Sequence, residues 1–139
     1  MKAYKVKDSN PIDSFQEPMA NYGTSSLYQL SARMITKRYI KKVLSFAQLS
    51  VSELIDIIPI SIDSYKRKNE FNPSVTEKIL EIEEVYRRGT EAFGDRFHKW
   101  MNTENLAMGG KAPKSFLKNS FGIRMLIDEI GRLEHGILA

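Results

Sequence analysis

The sequence predicts an all-α protein assembled from short helices. Three observations lead there. Apolar residues recur at three- and four-residue spacing over most of residues 26–133, Ser, Asn and Pro stand where helix starts need them, and the alternating stretch at residues 2–7 is too short to build a sheet. The 139 residues suffice for one ordinary domain or two small helical units sharing a core. At 42% hydrophobic and 27% charged residues, the composition is that of a chain that folds.

Residues 1–25 hold Pro11, Pro18 and Gly23 among Ser, Asn and Asp and read as a flexible arm, in which residues 2–7 alternate as a short strand added to a partner would. Leu27, Leu30, Met34 and Ile35 then begin a helical stripe that Tyr39, Ile40, Val43, Leu44 and Ala47 continue. Ser52 offers a cap for a short helix over residues 53–58, stopped by Pro59, because proline lacks the N–H a helix interior needs. Ser61 offers a cap for a second, over residues 62–68. Asn72-Pro73 is a strong helix start, and Val75, Ile79, Ile82, Tyr86, Gly89 and Phe93 form a seam to be buried within the chain or across a dimer axis.

Gly94-Asp95 break that helix, and Phe97, Trp100 and Met101 lie on one face of the next, as core. A polar loop over residues 102–113 contains Gly109-Gly110, a helical turn surrounds Phe116-Leu117, and a last helix over residues 120–133 buries Ile123, Leu126, Ile127, Ile130 and Leu133. The expected organisation is an arm (1–25), a helix-turn-helix and dimerisation region (26–72), a connecting helix (73–89) and a second helical unit (90–139).

Charge separates these regions. Residues 1–71 carry eleven Lys and Arg against seven acids, whereas residues 72–139 carry ten of each. An excess of base in one half suits a polyanion there and another partner elsewhere, although solubilising charge alone is the plainer alternative. Two short helices joined by a tight turn, the second one basic, are the layout of a helix-turn-helix. Its recognition helix would turn Ser64, Lys66, Arg67 and Lys68 towards phosphates or base edges, with Ser61 and Tyr65 beside them and Lys37, Lys41 and Lys42 as further phosphate contacts. Ile55 stands where the motif commonly has a small residue and Pro59 where it commonly has Gly, so a degenerate motif kept for packing or dimerisation stays open.

Other chemistries find little support. The absence of cysteine excludes disulfides, thiolate metal sites and cysteine nucleophiles. His98 and His135 lack metal-ligand spacing, and His98 reads as a surface residue. Gly109-Gly110-Lys111 fails as a phosphate loop, because Asn105 and Ala112 occupy positions that need Gly and Ser or Thr. Glu81, Glu83 and Glu84 read as a solvated face beside Lys78, Arg87 and Arg88. No nucleophile or cofactor loop stands out, so the protein is expected to be no enzyme, to need no cofactor and, lacking a signal-like or membrane-spanning run, to be cytoplasmic.

Residues Phe93-Gly94-Asp95, Trp100-Met101-Asn102-Thr103, Asn105-Leu106-Ala107-Met108-Gly109-Gly110-Lys111-Ala112-Pro113 and Gly131-Arg132-Leu133-Glu134-His135-Gly136 closely resemble the Xre/MbcA/ParS toxin-binding family. A weaker likeness extends back to Ser26, across an Xre-like helix-turn-helix. The resemblance implies an antitoxin of a type II toxin–antitoxin module, whose partner is a RES-domain toxin that consumes NAD. It implies neutralisation by occluding the toxin's active site, autorepression at operator DNA, and a homodimer entering larger toxin–antitoxin assemblies. The toxin contacts implied are Asn105, Gly109, Gly110, Lys111, Arg132, Glu134, His135 and Gly136. Leu106 and Met108 depart from the family's usual Asn-Pro-Ala-Leu-Gly-Gly at its Pro and Leu. A glycine-bearing loop also lets a partner's backbone approach closely, and the Arg132–Gly136 segment has the charge to enter a cofactor cleft. The alternative is a stand-alone helix-turn-helix regulator without a toxin.

Overall fold

The computed structural model describes residues 10–14 and 24–138. Residues 1–9 and 15–23, which include the strand expected at residues 2–7, lie outside the described residues. The fold is all-α, with one two-residue strand pair. The stripe read as continuous from Leu27 is interrupted. Helix α1 (Thr24–Leu30) ends in a turn where the Ser31 hydroxyl donates to the Tyr28 carbonyl at 2.6 Å, and β1 (Ile35–Thr36) follows. The break has a local cause: Thr36 caps α2 (Lys37–Ala47), and a cap residue must be extended, here with φ −85° and ψ 154°. Its Oγ1 accepts from the Tyr39 N–H at 3.1 Å and donates to Asp13 Oδ1 at 2.6 Å.

Strand β1 pairs antiparallel with β2 (Glu70–Phe71), Ile35 facing Phe71. On its other side Ile12 forms a parallel bridge to Ile35, bonded to the Met34 carbonyl at 2.8 Å. Ile12 is buried, so the arm expected over residues 1–25 contains a segment anchored in the core.

Helix α3 (Val51–Ile55) is capped by Ser50 rather than Ser52. Glu53 explains the choice, since it lies three residues beyond Ser50 and closes a reciprocal capping box: its N–H donates to Ser50 Oγ at 3.1 Å, and its Oε1 accepts from the Ser50 N–H at 3.0 Å. Helix α4 (Ile62–Arg67) starts at the expected Ser61 cap. Helix α5 (Pro73–Phe93) starts at Asn72-Pro73, the Asn72 side chain accepting from the Ser74 and Val75 N–H groups. After Gly94, whose φ of 64° ends α5, come α6 (Arg96–Met101), two 3-10 turns (Leu106–Met108 and Pro113–Lys118), and α7 (Ser120–Leu138). Helix α7 runs through Gly131 and on beyond the expected end at residue 133.

The α5 seam is buried within the chain from Val75 to Gly89, against α2, α6 and α7, while Phe93 at its end is half-buried. One apolar cluster reaches from Ile12 through Leu54, Tyr65 and Ile79 to Leu117 and Ile130, so both halves share a core. Gly89 is a point of close approach between α5 and α6. The Phe97 ring lies where a Cβ would sit, 2.2 Å from its Cζ, and meets Tyr86 edge-on at 5.5 Å between centroids. A side chain at Gly89 would push that ring out of place.

The acidic cluster divides. Glu81 pairs with Lys78 at 3.1 Å near the surface, but Glu83, expected on a solvated face, is fully buried. Its position follows from the helix, since residue 83 falls between Ile79, Leu80 and Tyr86 on the face turned inward. Tyr39 of α2 donates its hydroxyl to Glu83 Oε1, and Arg87 Nε donates to Oε2 at 3.0 Å, its guanidinium lying 5.7 Å from the Phe46 ring centroid. Burial raises the Glu83 carboxyl above the usual carboxylate range against the pull of Tyr39 and Arg87, and burial also raises the Tyr39 phenol. Glu83→Ala would remove the carboxylate that accepts from both the Tyr39 hydroxyl and Arg87 Nε inside the core. The expected loss in stability is on the order of 3 kcal/mol, read by denaturant unfolding, with a smaller loss for Glu83→Gln, which keeps an acceptor.

Candidate functional site

Two surfaces carry the residues singled out by sequence. The first is the pair of short helices expected to form a helix-turn-helix, α3 and α4; α3 ends at Ile55 rather than at residue 58, so residues 56–61 join them in place of the expected tight turn. Ser61 is spent at the start of α4: its Oγ accepts from the Ser64 N–H at 3.1 Å. Ser64 is half-buried, while Lys66, Arg67 and Lys68 are exposed at the end of α4, and Lys41 and Lys42 are exposed on α2. Tyr65, placed by sequence among the DNA contacts, is instead a core residue. Only 5% of it is exposed, it stacks on Phe71 at 5.7 Å, and burial raises its phenol. Tyr65 therefore holds α4 against β2 and leaves the outward face to Lys66, Arg67 and Lys68. Lys37 has a structural task as well: its Nζ donates to the Lys66 carbonyl at 3.0 Å and sits 5.2 Å over the Tyr65 ring centroid, where a cation suits a helix C-terminus.

The second surface is formed by the loop after α6 and by α7. Asn105 opens a closed turn. Its Oδ1 accepts from the Ala107 N–H at 2.9 Å, its carbonyl accepts from the Gly110 N–H at 2.9 Å, and its N–H donates to the Lys111 carbonyl at 3.2 Å. Gly109 and Gly110, at φ 73° and 80°, take the left-handed conformation this closure requires. Met108 is buried beneath the turn, whereas Glu104, Leu106, Ala107 and Lys111 are exposed. Asn105 thus holds the turn together, and its amide oxygen is committed to the cap.

On α7, Arg132 donates from Nε to Glu129 Oε1 at 3.0 Å and from Nη2 to Oε2. Glu134, His135 and Gly136 are exposed one turn later. Gly131 and Gly136 are helical and a Cβ at either would meet nothing within 4 Å, so packing inside the chain does not require them. Between the end of α5, α6 and α7 lies an apolar groove of about 230 Å³, lined by Phe93, Arg96, Phe97, Trp100, Ile130 and Leu133. His98, expected at the surface, is half-buried and stacks on Tyr86 at 5.6 Å, with Nδ1 buried.

Sequence reasoning missed the link between the surfaces. Lys114, in the second 3-10 turn, pairs with Glu53 Oε2 at 2.6 Å, so one carboxylate caps α3 and holds the loop region. Among the described residues no group of three His, Asp or Glu side chains could hold a metal ion, and no helix is long and apolar enough to cross a membrane.

These features define a small helical protein with two short helices and a basic helix end in one half and a closed loop and exposed helix end in the other. Residues 88–136 match the family model for the antitoxin Xre/MbcA/ParS C-terminal toxin-binding domain. Antitoxin Xre of Yersinia enterocolitica is 29% identical over 101 residues, 68% of each chain, and antitoxin Xre of Photorhabdus laumondii is 25% identical over 107 residues, 72% of each chain. Over residues 88–136 the chain is therefore similar to that toxin-binding domain, and over much of its length to these two antitoxins.

The Lys114 hydrogen bond, and then the Ser50 N–H, hold the Glu53 carboxyl below the usual carboxylate range. A carboxyl depressed by folding contributes stability above its unfolded pKa, and that contribution is lost as pH falls through the folded value. The melting temperature should fall as the solution is acidified below the usual carboxylate range. Glu53→Gln, which keeps the capping oxygen but not the charge, should show a shallower fall, compared by calorimetry across the acid range.

Proposed function

We propose that this protein is the antitoxin of a type II toxin–antitoxin module, that it neutralises a RES-type NAD-consuming toxin by binding it and occluding its active site, and that it represses its own operon through the helix-turn-helix. The observation that carries this reading is the match of residues 88–136 to a toxin-binding domain, which includes the closed turn at Asn105 and the exposed residues of α7. Asn105, Gly109, Gly110 and Lys111 form one contact region, and Arg132, Glu134, His135 and Gly136 the other. A helix end carrying Arg132, Glu134 and His135 suits a cleft built for a charged cofactor, and the open space at Gly136 admits a partner's backbone. The antitoxin acts as a plug, without catalysis or cofactor of its own, in the cytoplasm.

The operator contacts are Lys66, Arg67 and Lys68 on the outward end of α4, with Ser64 beside them and Lys41 on α2. Since the α5 seam is consumed inside the chain, a dimer that presents two recognition helices must form through another face. Larger toxin–antitoxin assemblies then arise when toxin bridges dimers.

Co-expression tests the first part. Cells expressing the neighbouring gene should lose NAD and stop growing, and the full chain should restore both. A chain lacking residues 134–139 should fail to restore them. Rescue by the shortened chain would place the occluding contact elsewhere, and a harmless neighbouring gene product would favour a stand-alone DNA-binding regulator. For the second part, replacing Lys66 and Arg67 together by Ala should weaken operator binding in a mobility-shift titration and reduce its salt slope by about 4 for the dimer, because each of the four cations removed leaves one phosphate with its counterions.

A further inference from the structure

The 3-10 turn Leu106–Met108 holds the most exposed large apolar side chain among the described residues: Leu106 is 94% exposed. A lone surface leucine ordinarily means nothing, but this one is mounted differently. The Asn105 side-chain cap, the Gly110 and Lys111 backbone bonds and the two left-handed glycines close the turn, and Met108 is seated in the core below it. The backbone that carries Leu106 is therefore ordered before any partner arrives, which removes much of the entropy cost of using it as a contact.

Its surroundings are equally particular. Ala107, Gly109 and Gly110 are exposed and offer almost no side chain, and a Cβ at either glycine would meet nothing within 4 Å. Leu106 stands above a nearly bare backbone that a partner can approach closely. Glu104 and Lys111, both exposed, flank it with opposite charges. An apolar projection with bare surface around it and polar groups at its margin is the anatomy of an interface anchor.

We propose that Leu106 is the anchor by which this chain grips its protein toxin, inserting into an apolar pocket whose margin carries a cation opposite Glu104 and an anion opposite Lys111. The inference rests on the antitoxin reading, since the toxin-binding match at residues 88–136 names the occupant of this surface. It adds to that reading a contact distinct from the end of α7, and the glycines and Asn105 become the mounting of that contact.

The test is binding of the purified product of the neighbouring gene to the full-length wild type, Leu106→Ala, Leu106→Asp and a control, Tyr28→Asp, which alters an 81% exposed side chain outside the matched region. Leu106→Ala should weaken binding at least tenfold and Leu106→Asp further, mostly through faster dissociation, with melting temperatures unchanged. Tyr28→Asp should bind as the wild type does. If both Leu106 variants bind within twofold of a wild type that binds, the anchor assignment is wrong and the antitoxin reading stands. If the wild type itself does not bind, both are overturned.

Discussion

The architecture depends on the burial of α5 along most of its length. A helix apolar all round could satisfy that demand by packing alone, but α5 places a carboxylate, Glu83, among its inward residues. A buried charge costs several kcal/mol unless it is paired and hydrogen-bonded. Tyr39 from α2 and Arg87 from the next turn of α5 provide those bonds, so α2 can seat on α5 in one rotational setting only. Setting α2 in turn sets Thr36, β1 and, through Lys37, the last turn of α4. The basic end of α4 is aimed by a carboxylate far from it in sequence.

The other side of α5 is governed by shape. Gly89 has no side chain because the Phe97 ring occupies its place, and Phe97 stacks on Trp100 at 5.6 Å. That pile of rings fixes α6, and α6 fixes where the loop with Leu106 begins. Together these contacts make residues 88–136 an extension of the same core.

Periodicity and caps made much of this legible. The start of α5 at Asn72-Pro73, the start of α4 at Ser61 and the seam from Val75 to Gly89 follow from spacing and capping chemistry. What spacing could not tell lay in competition between neighbouring signals. Ser50 and Ser52 are equally good caps in isolation, and the reciprocal bond to Glu53 decides between them. Met34 and Ile35 fit a helical stripe, yet Thr36 is needed as a cap and turns the backbone extended. Glu83 looked solvated because its sequence neighbours are charged, and its burial depends on α2, a contact across 44 positions. Tyr65 misled for the opposite reason: it sits in a basic run, but its ring faces Phe71. The loop itself was legible as a sequence pattern, whereas the exposure of Leu106 and the Glu53–Lys114 bridge exist only in three dimensions.

The shared core bears on how the protein is removed. Two independently folded units could be dismantled separately, leaving one surface intact without the other. Here Ile12, α5 and Ile130 belong to one cluster, so the two halves lose their packing in a single cooperative event. A protease that pulls either end out of that cluster abolishes both surfaces at once. Unfolding of one molecule then removes both surfaces together, which couples their lifetimes without any dedicated switch.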